Sequence, residues 1–280
     1  MKIKFFAIGL LGLAMACSEN ELSKSAKNPA FTLNAVQQRA LAVYDEQHIM
    51  KNTAGRVILG NPADLQSQLG DTPIDIPANK TQKFVSIDPQ FHYEDFQLSR
   101  VLNTGENLKV VVSGTNYITI GGTRYDLAQF HFHRGSEHAI AGRFAAMEVH
   151  LVHISGGGNI AVIGVMLEEG AENEVLHDLF SHSPSEPGEN SVDEMFNASS
   201  LLPNINTPYY HYSGSLTTPP FTKGLTWIVY KLSKSVAADE LEQYEAIYEE
   251  LNARPLQSID GRVIYERTGY AAGNHFKNND

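Results

Sequence analysis

The chain predicts a mainly β fold with peripheral helices: a single domain built on one large, twisted, mostly antiparallel β-sheet. Three observations lead there. Short apolar or alternating runs recur between Val101 and Leu232, Gly and Asn punctuate them, and two amphipathic helical stretches interrupt them. With 280 residues, 42% of them hydrophobic and 19% charged, the chain is long and apolar enough for one full core and is not composed like a disordered or coiled-coil protein.

The first 17 residues stand outside that fold. Lys2 and Lys4 precede an apolar run from Phe5 to Ala16 that is too short to cross about 30 Å of hydrocarbon as a helix, so it reads as an export signal. The run closes with Leu13-Ala14-Met15-Ala16-Cys17, which resembles the lipobox of bacterial lipoproteins; the alternative is an ordinary signal followed by a chance cysteine. The resemblance implies that Cys17 is lipidated and anchors an exported protein to a membrane. Ser18 after the cysteine points to the outer membrane of a Gram-negative cell, on its periplasmic side or at the cell surface. Residues 18–32 are small and polar, as a flexible tether is. Residues 33–69 form an N-terminal extension, in which Val36, Ala40, Val43, Tyr44 and Ile49 predict a helix over Leu33 to Ile49.

The β-rich domain spans residues 70–272, with a tail at 273–280. Its strands are expected at Val101-Leu102, Leu108 to Val112, Tyr117 to Ile120, Ala128 to His133, Met147 to Ile154, Ile160 to Leu167 and Leu225 to Leu232. Helices are expected at Glu174 to His182 and Ala237 to Asn252, each with apolar residues on one face. Ser181 to Thr207 is polar and proline-containing and reads as a surface excursion.

A formal charge of −11 makes nucleic acid a poor partner. Cys17 is the single cysteine, so neither an intrachain disulfide nor a thiolate metal site can form, and histidines are the available soft ligands. Oligomeric state stays open.

The chemistry is concentrated in Gln129-Phe130-His131-Phe132-His133, Glu137-His138 and Glu148-Val149-His150-Leu151-Val152-His153. Side chains two apart on a strand share a face, so His131 and His133 point one way and Phe130 and Phe132 the other. His150 supplies a third nitrogen if its strand pairs antiparallel with the first. Three neutral imidazoles with one open tetrahedral position describe a catalytic Zn²⁺ site, since a structural site has all four positions filled by protein. Gln129 and Glu148 each lie two residues before a histidine, on its face, where they can accept from the second ring nitrogen. His48, His92, His138, His153, His177, His182, His211 and His275 are better read as hydrogen-bonded structural residues.

These strings, with Ser136-Glu137-His138, Gly214 to Pro220, Thr226-Trp227-Ile228-Val229 and Asn252 to Gln257, resemble the α-class carbonic anhydrases, in order from about Asp71 to Val263. The resemblance implies the reversible hydration of carbon dioxide to bicarbonate and a proton, by a hydroxide on Zn²⁺ held by His131, His133 and His150. It makes Thr217 the hydroxyl between that hydroxide and Glu137. It places Val152, Val162, Leu216 and Trp227 on the apolar wall for carbon dioxide and Thr218 beside the bicarbonate product. The carbonyl of Asn252 would orient the second zinc histidine, and Arg254 would be structural.

Departures from the family pattern carry information too. Asn103-Thr104-Gly105-Glu106 puts Glu106 where the proton-shuttle histidine belongs. A carboxylate is a much weaker base than an imidazole, so proton transfer is expected to be slow and to respond to imidazole buffer. The N-terminal Trp-Gly-Tyr segment and its aromatic cluster are missing. Two other classes compete. A non-catalytic surface-binding lipoprotein on the same fold would be expected to have lost a zinc histidine, and all three are present. Another zinc hydrolase would need a general-base carboxylate at the metal, whereas Glu137 and Glu148 are placed to hold ligands.

Overall fold

Strand formation begins at β1 (Asp75–Ile76), β2 (Gln82–Lys83) and β3 (Gln90–His92) and continues through β4 (Phe96–Asn103), β5 (Leu108–Val111), β6 (Tyr117–Ile120) and β7 (Thr123–Arg134). Next come β8 (Ala139–Ile140), β9 (Met147–Ser155), β10 (Ile160–Glu169), helix α1 (Glu174–Ser181) and β11 (Gly188–Phe196). The series closes with β12 (Tyr209–Ser215), β13 (Lys223–Tyr230), β14 (Lys234–Val236), helix α2 (Ala238–Ile247) and β15 (Tyr265–Arg267). The structure is a computed structural model and describes residues 70–83, 88–112, 115–204 and 207–267. The signal with Cys17, the tether, the helix expected over Leu33 to Ile49 and the tail at 273–280 lie outside the described residues.

Among the described residues, one large sheet runs in the order β11-β4-β5-β7-β9-β10-β13-β12-β15-β2, with β3, β6 and β14 attached beside this path. Most pairings are antiparallel, as expected, but β10 pairs parallel with β13 and β14, and β15 parallel with β2, so the sheet is mixed. β9 and β10 are buried on both faces over most of their length, the pattern of strands covered on both sides; β10 is apolar there, whereas β9 carries Glu148, His150 and His153 among its apolar residues.

Each face has its own core. Phe130 and Phe132 of β7 join Val149, Leu151, Ile163 and Val165 on one side, closed over by Leu176, Leu179 and Phe180 of α1 and Tyr244 of α2. Truncating either phenylalanine to alanine would cost about 3–5 kcal/mol. The Tyr244 hydroxyl donates to the Phe132 carbonyl at 2.8 Å, which fixes α2 against β7. Buried Glu240 accepts from the N–H groups of Ala237 at 2.6 Å and Asn173 at 2.9 Å, tying together the starts of both helices. On the other side Ala128, Val152, Val162, Tyr212, Leu216 and Trp227 pack with Ile74 and Ile76.

A β-bulge in β7 decides which residues face which core. Leu127 pairs with His153 and Gln129 with Val152, leaving Ala128 as the extra residue. Without it, the alternation that buries Tyr125 and Leu127 in the helix-side core would carry Gln129, His131 and His133 there as well. The bulge resets the parity and turns all three to the opposite face.

Two expectations are adjusted. Ser181 to Thr207 lies largely at the surface, as expected, but it is not structureless: it contains β11, paired antiparallel with β4, and a 3₁₀ turn at Ala198–Leu201. β11 is an edge strand that buries only Val192 and Phe196, so its sequence lacks the apolar alternation that announces a strand. Helix α2 stops at Ile247 rather than Asn252. Beyond it the Glu249 carbonyl accepts from the Arg134 guanidinium at 2.7 Å, and the Asn252 side chain accepts from Arg134 N at 2.7 Å. Those contacts with β7 hold residues 249–252 off the helical path.

Candidate metal centre

β7 presents His131 and His133, and β9 presents His150 directly across from His131. Their ring centroids lie 5.0, 5.2 and 4.7 Å apart, and one nitrogen from each falls within 4.8 Å of the others. All three rings are buried. In each, the second nitrogen meets an oxygen: His131 Nδ1 lies 2.9 Å from Gln129 Oε1, His133 Nδ1 3.2 Å from the Asn252 carbonyl, and His150 Nε2 3.0 Å from Glu148 Oε1. This leaves Nε2 of His131, Nε2 of His133 and Nδ1 of His150 for a ligand. His133 Nε2 is buried and makes no hydrogen bond, an expensive condition for a polar atom unless something binds it. Three converging nitrogens with no thiolate and no carboxylate among them suit Zn²⁺, so the residues present fit that ion.

Electrostatics favour the neutral ring at His131 and His133 but not at His150. Burial holds the pKa of His131 well below its usual range, with the charges of His133, His150 and Lys109 acting in the same direction. Burial also lowers His133, against the pull of Glu137. For His150 burial again disfavours the cation, but the charge and hydrogen bonding of Glu148 outweigh it and raise the pKa. Glu148 is itself kept ionised: burial opposes its charge, and His138 and His150 overcome that.

Glu148 organises more than one ligand. Its Oε2 accepts from His138 N at 2.8 Å, and its Oε1 lies 2.8 Å from His138 Nδ1. His138 Nε2 lies 2.6 Å from the Tyr212 hydroxyl, which donates to Thr72 Oγ1 at 3.3 Å. The Trp227 ring stands edge-on to His138 and His150 at 4.9 Å from each, and its Nε1 donates to the Ser215 carbonyl at 2.9 Å. Tyr212 and Thr72 were not legible as site residues. Each is far from the histidine strands in sequence, and neither sits in a spacing pattern.

Glu137 is 1% exposed. Its Oε1 accepts from Arg254 N at 2.9 Å, and its Oε2, 3.8 Å from His150 Nδ1, has no hydrogen-bond partner. Thr217 and Thr218 line a cleft of about 690 Å³ together with Glu137, Glu106 and Asn252. No hydrogen bond joins Thr217 to Glu137, so the contact implied by the resemblance is not made here. The Thr217-Thr218-Pro219 turn instead closes on itself, with Phe221 N donating to the Thr218 carbonyl at 2.9 Å. Glu106 is exposed on the cleft, and its carbonyl accepts from Asn252 Nδ2 at 2.6 Å. Val152, Val162, Leu216 and Trp227 lie in one apolar cluster, all buried. Arg254 donates to the Thr72 carbonyl at 2.7 Å, a structural tie.

The remaining histidines lie elsewhere. His153 is locked in the helix-side core, Nε2 2.6 Å from the Tyr93 hydroxyl and Nδ1 3.3 Å from the Ala161 carbonyl. His92 stacks on Tyr117 at 4.4 Å, and His182 Nδ1 lies 2.7 Å from the Asp178 carbonyl. His48 and His275 fall outside the described residues.

A buried three-histidine site beside a cleft, on the face of a large mixed sheet, has the layout of a site that could hold one metal ion. The sequence model of the family described as eukaryotic-type carbonic anhydrase matches residues 64–268, and the chain belongs to that family of lyases. It is 36% identical over 204 residues to a carbonic anhydrase of Klebsiella pneumoniae, covering 72% of this chain and 81% of that one. Among solved structures, it resembles the α-carbonic anhydrase of Thermovibrio ammonificans in complex with the inhibitor sulfanilamide. That match has 36% identity and a TM-score of 0.67, over 70% of this chain and 86% of that one. The Photobacterium profundum α-carbonic anhydrase matches at 33% identity and a TM-score of 0.65, over 70% of this chain and 88% of that one.

Proposed function

We propose that this protein interconverts carbon dioxide and bicarbonate at a Zn²⁺ held by His131, His133 and His150, as an exported protein anchored through Cys17 to the outer membrane of a Gram-negative cell. The observation that carries the catalytic reading is the convergence of three buried imidazoles, each second nitrogen already met by an oxygen. Zn²⁺ in such a setting would acidify a water enough to supply a nucleophile at neutral pH.

The chain's own residues do the rest. Gln129 and Asn252 accept the ring N–H of His131 and His133, and the Glu148 carboxylate stands 3.0 Å from Nε2 of His150, so the opposite nitrogens are kept unprotonated and aimed. Glu137 Oε2 is a buried acceptor without a donor, and the Thr217 hydroxyl is the donor this reading assigns to it. With its proton given to Glu137, the Thr217 oxygen can only accept from the attacking oxygen, which orients that oxygen toward carbon and disfavours ligands that cannot donate. Val152, Val162, Leu216 and Trp227 form a dry wall suited to an uncharged linear molecule, and Thr218 borders the product. Glu106 at the cleft mouth is a poor proton acceptor, so the proton leaves by an added buffer base. The lipid anchor rests on the Leu13 to Cys17 string and on the tether after it.

The test is metal content with stopped-flow carbon dioxide hydration on protein lacking residues 1–17, beside His133→Ala. One zinc per chain and turnover in the parent, both lost in the variant, are expected. A variant that keeps its activity would remove the assignment. Lipidation is read separately by mass spectrometry of the membrane fraction, where an unmodified Cys17 would refute the anchor.

A further inference from the structure

We propose that Lys109 is an anion-selecting residue behind the cleft lining: it sets a positive charge beside the three-histidine centre, which retains bicarbonate and competing monovalent anions. This rests on the function proposed above.

The placement follows from register. Leu108 and Val110 of β5 are buried in the helix-side core, so Lys109 and Val111 face the other way. Lys109 is the direct cross-strand partner of His131, and Val111 that of Gln129. Residues so paired have Cβ atoms roughly 4.5–5.5 Å apart on the same face, which puts the root of the lysine next to a proposed zinc ligand. The side chain is half-buried, and its charge interacts with that of Glu106, which lines the cleft.

Charge coupling agrees with that geometry. Burial lowers the pKa of Lys109, and the charge of Glu106 on the cleft opposes that and favours the ammonium. An ammonium in a partly dehydrated cleft is felt more strongly than one in bulk water. Carbon dioxide carries no charge and gains nothing from it; bicarbonate does. Because the protein cannot alter the equilibrium between the two, the effect must appear in the KM for bicarbonate and in the affinity for inhibitory anions. Glu106, of opposite sign at the mouth, partly offsets it.

Thiocyanate is the probe, measured on zinc-loaded protein at fixed ionic strength both by calorimetry and as an inhibition constant in carbon dioxide hydration. Lys109→Gln should weaken thiocyanate about three- to tenfold by both readouts, and Lys109→Arg, which keeps the charge, should stay within about twofold. Glu106→Gln, which removes the opposing charge from an exposed residue, should tighten it about two- to fivefold. Unchanged thiocyanate affinity in a zinc-loaded, active Lys109→Gln protein would overturn this inference alone. A zinc-loaded parent protein without carbon dioxide hydration would overturn the function beneath it. Should Lys109→Gln not fold, Glu106→Gln decides the matter, and an affinity equal to the parent's would count against the proposal.

Discussion

The main-chain oxygen of Asn252 lies 3.2 Å from Nδ1 of His133, across 119 residues of sequence. A backbone carbonyl cannot be removed by substitution, so this ligand is held by whatever holds residues 249–252. Arg134 does that, through the Glu249 carbonyl and the Asn252 side chain. The other two histidines depend on side chains, and there mutation can act directly.

Gln129→Ala leaves His131 Nδ1 without its acceptor at 2.9 Å. Zinc affinity should fall about 10- to 100-fold, and the unpaired buried ring N–H should cost about 1–3 kcal/mol in stability. Competition with a chromophoric chelator measures it, and an affinity within about twofold of the parent would show that the amide does not orient the ring.

Gly164→Ala tests the Glu148 network without touching any histidine. Gly164 is the cross-strand partner of His150, and a Cβ added there would come within 2.6 Å of Glu148 Oε1. The carboxylate must move from His138 and His150 together. A loss of about 1–3 kcal/mol in stability and about tenfold in zinc affinity is expected, read by urea unfolding and chelator competition. Stability and affinity both at parental levels would mean that the carboxylate has room to spare.

His153 predicts an acid-sensitive core. Burial lowers its pKa to about 3, from an ordinary value of 6.5. The folded state keeps the ring neutral, whereas the unfolded chain takes up a proton below pH 6.5. Its contribution is therefore complete above that pH and is lost as pH falls from about 6.5 toward 3, at up to about 1.4 kcal/mol per pH unit. Urea unfolding of parent and His153→Gln at pH 7 and pH 5 should show the parent losing about 2 kcal/mol more than the variant. Equal losses would place the acid sensitivity elsewhere.

Glu106→His should restore an imidazole base at the cleft mouth. Turnover in dilute buffer is expected to rise about tenfold or more, while the parent gains comparably only when imidazole buffer is added. Parent turnover that is fast and independent of buffer would contradict the slow proton exit assigned to this chain.

Much of the site could be read in order along the chain because its rules are local. Residues two apart share a face of a strand, so Gln129, His131 and His133 had to point together, as did Glu148 and His150. The same period, and the 3.6-residue period of α1 and α2, made most strands and both helices visible. Long-range pairing is where the sequence falls silent. The bulge at Ala128 turns the three β7 side chains away from the helix-side core; it consists of hydrogen bonds to other strands and has no local signature. Edge strand β11, the carbonyl of Asn252 behind His133, Tyr212 against His138 and Lys109 beside His131 are likewise products of register. The sequence by itself determined which side chains can bind a metal and which neighbours share their face; tertiary structure alone decided which face that is and what stands opposite, because strand pairing is a relation between segments that no single segment contains.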